Sequence, residues 1–122
     1  MADFTIQLDD GAFEILKETN SLEIFDVETS EETGEFDYPD DIIKTHQKSL
    51  NANIHKEAQK EGLDPEKYSI KSFLILAKNE DEANELGMLR NEEASFVACV
   101  EVAEAEVNGS KGWNLYLLGA LV

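Results

Sequence analysis

"ASFVACVEVAEAEVNGSKGWNLYLLGALV", residues 94–122, holds the strongest fold signal in the chain. Asn108-Gly109 sits between two runs rich in β-branched, aromatic and aliphatic residues. Asn-Gly in that setting supplies the two left-handed positions of a tight hairpin turn, so the runs are expected to pair as a C-terminal β-hairpin. In the first run Glu101, Glu104 and Glu106 cannot all reach water from one regular strand, which predicts a β-bulge near Val102 and Ala103. The second run is apolar on both faces, with Trp113, Leu115, Leu117 and Leu121 on one and Tyr116, Leu118, Ala120 and Val122 on the other. A strand of that kind is covered on both sides, inside a sheet or against another subunit.

Upstream, "NEDEANELGML" (79–89) reads as a short helix with Asn79 as cap and three acids in its first turn. "YSIKSFLILAK" (68–78) reads as an interior strand, because its second half is apolar on both faces. "LDPEKY" (63–68) suggests one helical turn, capped by Asp64 with Pro65 first. The main helix is expected over about 40–61. There Ile43, Leu50, Ile54 and Ala58 recur at helical spacing, His46 or Gln47 completes the stripe, and Gly62 stops it. The first 29 residues are expected to form short strands: "FTIQL" (4–8), "FEIL" (13–16) and "LEIFDV" (22–27). "GAFEILKET" (11–19) also fits a short helix, because short apolar runs are ambiguous. The resulting fold class is α+β, a small antiparallel or mixed sheet packed against one main helix, in a single domain spanning 1–122.

The charge is unevenly distributed. The 122 residues carry a net −17. Residues 1–41 hold 14 acids against Lys17 alone, a net −13. Residues 42–78 come to +3 and residues 79–122 to −7. In "SEETGEFDYPDD" (30–41) every charged side chain is a carboxylate. Such a chain is repelled by nucleic acid and by anionic membrane surfaces, so a charged partner is expected to be basic. Lys44, Lys48, Lys56 and Lys60 could form a stripe on the main helix, but a solvated face explains them better at this overall charge. An acidic surface also aids solubility without any partner, which is the bland explanation of the same residues. "MADFTIQLDD" has neither a basic leader nor an apolar run, and no stretch reaches the ~20 apolar residues of a membrane helix; a cytoplasmic location is expected.

Candidate chemistry is sparse. Residues 26–37 place acids at several calcium-loop positions, but Glu31 stands where the sharp turn needs glycine. His46 and His55 are nine residues apart, on opposite sides of a helix that turns about 100° per residue, and cannot share one zinc. Cys99 lies between Ala98 and Val100, the setting of an inert packing cysteine, and cannot form an internal disulfide because it is the only cysteine. No nucleophile elbow or phosphate-binding glycine loop is present. The expectation is therefore a non-enzymatic acidic protein, without metal or cofactor, that inhibits or sequesters a basic protein in the manner of immunity proteins or nucleic-acid mimics. Its expected contact residues are Asp26, Glu28, Glu31, Glu32, Glu35, Asp37, Asp40 and Asp41. One alternative is a self-associating accessory protein, a homodimer pairing through Trp113, Leu115, Tyr116 and Leu118. Another is a small enzyme with an unrecognised site.

Overall fold

The computed structural model describes residues 4–27 and 40–122, without the side chains at positions 40, 42, 65 and 90. The element order is β1 (Phe4–Ile6), α1 (Asp10–Thr19), β2 (Ser21–Asp26), α2 (Asp40–Lys60), a 3-10 turn (Pro65–Lys67), β3 (Ile70–Ala77), α3 (Glu80–Arg90), β4 (Phe96–Val107) and β5 (Ser110–Leu121). The strands form one mixed sheet in the order β1-β4-β5-β3-β2. Only the β1–β4 pair is parallel. The α+β class, the main helix and the C-terminal hairpin all follow the pattern expected from the sequence.

The hairpin turns at Asn108 and Gly109, both left-handed at φ 50° and 78°. Its register shifts between Glu101 and Ala103, the expected bulge, and again between Ala105 and Val107. The first shift has a clear consequence. Phe96, Ala98 and Val100 face the main core before it, and Ala105 and Val107 face that core after it. Glu101 and Glu104 meanwhile stand opposite Tyr116 and Asn114, and both are exposed. One extra residue thus keeps the alanines and valines inside and the glutamates out.

β5 lies between β4 and β3 and is covered on both faces. On one face Leu115, Leu117 and Leu121 join Leu74 and Leu76 under α2, which contributes Ile43, Leu50, Ile54 and Ala58; Leu16 of α1 completes this core. On the other, Tyr116 and Leu118 join Phe73, Ile75 and Ala77 under Ala83 and Leu86 of α3. Two glycines permit these approaches. A Cβ on Gly87 would stand 2.3 Å from Leu118 Cδ1, and one on Gly119 2.5 Å from Ile54 Cδ1. Glycine here lets each helix settle closely on the sheet.

The strand expectation for "FEIL" (13–16) is corrected, and the helical alternative for 11–19 holds: these residues lie in α1. Asp9 caps it, its Oδ1 accepting from the Ala12 N–H at 2.8 Å, and Asn20 ends it in a left-handed conformation at φ 63° with its N–H on the Leu16 carbonyl. Lys17 meets Glu14 at 2.7 Å one turn away and lies over the Phe13 ring at 4.7 Å. Caps at both ends and side-chain pairs one turn apart stabilise helix over strand for a run as short as "FEIL". Asn79 caps α3 as expected, accepting from the Glu82 N–H at 2.9 Å, and Asp64 accepts from the Glu66 N–H at 3.1 Å to start the 3-10 turn.

Asn108 also reaches beyond its turn. Its side chain accepts from the Leu8 N–H at 2.7 Å and donates to the Leu8 carbonyl at 3.0 Å, while its own N–H bonds the Ile6 carbonyl at 3.0 Å. Both groups of one amide are used to bind the strand end, extending the β1–β4 ladder by a side chain.

Candidate binding surface

The acidic connection between β2 and α2 is described at its two ends. Asp26 ends β2, half-buried and in register with Phe73. Asp41 is exposed in the first turn of α2, where the positive end of the helix dipole favours a carboxylate; its carbonyl accepts from the Thr45 hydroxyl at 2.9 Å. Asp40 is the first residue of α2. Glu28, Glu31, Glu32, Glu35 and Asp37 lie outside the described residues, as does most of the 26–37 stretch weighed as a calcium loop.

Both flanks of that connection meet at Ser72, a buried residue of β3. Its carbonyl accepts from the Val27 N–H at 3.0 Å, and its hydroxyl accepts from the Gln47 side-chain amide at 3.2 Å. Sequence reasoning treated Gln47 only as a filler of the apolar stripe. Its polar end instead ties α2 to the strand that receives the end of β2.

Further carboxylates lie elsewhere on the surface. Asp9, Asp10, Glu14 and Glu18 are exposed on or beside α1. A second group lies where α3 begins, with Glu80, Asp81 and Glu85 exposed and Glu82 half-buried. Their field reaches Cys99. Burial first, and then Glu80 and Asp81, push its thiol up to about 12, and its Sγ lies 3.9 Å from the Glu80 carbonyl. Tyr116 is raised too, by burial first and then by Glu101. A thiol held that high has almost no thiolate at neutral pH, and the thiolate is the nucleophile. Iodoacetamide at pH 8 is therefore expected to alkylate Cys99 far more slowly in the folded protein than in urea, and the two rates should converge only as the pH approaches 12. Mass spectrometry of timed samples reads this directly; equal rates at pH 8 would rule out the perturbed thiol.

The other singled-out residues fall as follows. Trp113, Leu115, Tyr116 and Leu118 are buried within one chain, at 0–4% exposure, so none offers its side chain as open surface. His46 is half-buried and His55 exposed on α2. Lys48, Lys56 and Lys60 are exposed on the same helix, with Lys60 3.4 Å from Glu57. Among the described residues no three His, Cys, Asp or Glu side chains are grouped to hold a metal ion, and no helix is long and apolar enough to cross a membrane.

Sequence reasoning missed one surface. Reading "FEIL" (13–16) as strand hides that Ile15 and Leu89 of α3 line a shared groove. The available signals were local, namely Asp9 and Asn20 as caps for a helix bearing Ile15. The meeting of two separate helices was not encoded locally. The chain matches no protein-family model, no curated protein and no solved structure.

Proposed function

We propose that this protein is a non-enzymatic binding protein that uses its acidic surface to inhibit or sequester a basic protein partner. The observation that carries this reading is the segregation of charge: 14 acids and a single lysine in residues 1–41 of a chain whose next 37 residues are net positive. Solubility alone requires no such segregation. Concentrating like charge in one third of a small chain opposes folding through self-repulsion. The same arrangement focuses a field that speeds encounter with a cationic surface and excludes anionic ones. Asp26, Glu28, Glu31, Glu32, Glu35, Asp37, Asp40 and Asp41 are the proposed contacts, and a nuclease or another nucleic-acid-handling protein would present a suitable basic face.

The test begins with capture of the partner from the native host, followed by association kinetics from about 0.05 to 0.5 M salt, a range that takes exposed charges from weak to strong screening. The association rate is expected to fall steeply with salt. Asn and Gln replacements at the eight acids are expected to slow association more than they speed release, because exposed charges act mainly on encounter. A partner without a basic surface, or one whose binding ignores salt, would overturn the proposal.

A further inference from the structure

α1 and α3 pack against opposite faces of the sheet, at the same edge strand, β2. Between them runs a groove with a cavity of about 280 Å³, lined by Ile15 and Thr19 of α1, Ser21 and Leu22 of β2, and Glu82, Glu85, Leu86 and Leu89 of α3. Its apolar wall is open to water. Ile15 is 51% and Leu89 72% exposed, two of the three large hydrophobic residues that stand exposed among the described residues. Among the described residues no lysine or arginine lines it. Lys17, the cation of α1, faces away, held by Glu14 and the Phe13 ring. The charges on the groove wall are Glu82 and Glu85, and Glu18 is exposed on α1.

We propose that the groove between α1 and α3 receives the apolar side of a cationic amphipathic segment of a partner protein, with aliphatic anchors on Ile15, Leu22, Leu86 and Leu89 and lysine or arginine beside Glu82 and Glu85. The occupant follows from charge complementarity. An apolar surface with an acidic wall suits a helix that carries aliphatic residues at i, i+3 and i+4 on one face and basic residues beside them, the helix-in-groove mode of recognition. The volume lies just below the ~300–1,000 Å³ of pockets that enclose small molecules, and two of the lining side chains, Ile15 and Leu89, are more than half exposed, which fits inserted side chains better than an enclosed ligand. A second copy of the chain is a poor occupant, because each copy carries −17 and the groove wall is itself acidic. The inference rests on the basic-partner reading and adds what a diffuse acidic surface lacks, a contact that selects among basic partners by shape.

The test uses two synthetic helical peptides of equal charge as probes, one with Leu and Lys in amphipathic order and one with every Leu replaced by Gln. Binding to the full chain is measured by calorimetry and by methyl-resolved NMR. The amphipathic peptide is expected to bind more tightly and to shift the methyl signals of Ile15, Leu22, Leu86 and Leu89. Ile15→Gln and Leu89→Gln, both at exposed helix positions that leave the core intact, are expected to weaken it by roughly tenfold each, as for loss of an anchor in a groove. The Leu-free peptide should be indifferent to both substitutions. If the two peptides bind equally well, or the methyl shifts fall elsewhere, the groove proposal is wrong while the basic-partner reading stands. If neither peptide binds at low salt, the groove proposal fails together with the electrostatic reading beneath it. Methyl shifts that follow protein concentration alone, with a dimer in sedimentation, would identify a second copy as the occupant and overturn the proposal.

Discussion

A chain lacking residues 119–122 is expected to lose most of its stability. Gly119, Ala120 and Leu121 are buried in the middle of the sheet, and Leu121 pairs with Ile70 on one side and Phe96 on the other. The Leu121 carbonyl accepts from the Ser95 N–H at 2.8 Å, and Val122 and Ser69 exchange two backbone hydrogen bonds of 2.9 Å. A fully buried leucine contributes about 1.5–3 kcal/mol. These three backbone bonds alone, apart from the ladder pairing of residues 119–121 with β3 and β4, add about 0.5–1.5 kcal/mol each. The combined loss of about 3–7.5 kcal/mol compares with about 5–15 kcal/mol for a whole domain of ordinary stability. Urea denaturation of the two proteins followed by Trp113 fluorescence checks this. A truncated chain that unfolds at nearly the same urea concentration would show that the last residues of β5 contribute little.

The second large effect is a coupling between Gly87 and Leu118. Leu118→Ala alone removes a side chain that is 0% exposed and is expected to cost about 2–5 kcal/mol. Gly87→Ala alone puts a Cβ 2.3 and 2.9 Å from the two Leu118 methyls and 3.1 Å from its Cγ, so the whole side chain must move. Such overpacking costs about 1–3 kcal/mol and outweighs the gain of about 1 kcal/mol that alanine brings to a helix interior. In the Leu118→Ala background the obstacle is gone. There Gly87→Ala is expected to stabilise, so the double variant should outlast Leu118→Ala alone. Additive effects across the four proteins would contradict the close packing of α3 on β5.

These effects also mark what the sequence could and could not disclose. α2, α3 and the hairpin were legible because their signals are local: apolar residues at helical spacing, Asn79 before a run of acids, Asn108-Gly109 between alternating runs. Even the bulge followed from the chain alone, since three glutamates had to reach water from one strand. α1 was not legible because four residues, "FEIL", fit either period, and the caps that decide for helix, Asp9 and Asn20, are residue types that favour turns equally well. The strand order and the parallel pairing of β1 with β4 depend on contacts distant in sequence, which periodicity does not record. The same holds for the candidate sites. The acidic stretch is visible in composition, whereas the apolar groove exists only once α1 and α3 flank β2.

The amide clasp of Asn108 on Leu8 has a consequence for how the protein is made. Its two partners are 100 residues apart, and the β1–β4 ladder beside it joins Phe4 to Ala105. On a ribosome, Phe4, Ile6 and Leu8 emerge early and remain without their partner strand until the last fifth of these residues has been synthesised. Contacts so far apart close late, since the loop entropy must be met before the contact returns anything. For that interval the nascent chain presents a small apolar strand embedded in a strongly negative sequence. Its neighbours in the growing chain are mutually repulsive, which discourages the premature pairing between nascent copies that an uncharged strand would invite.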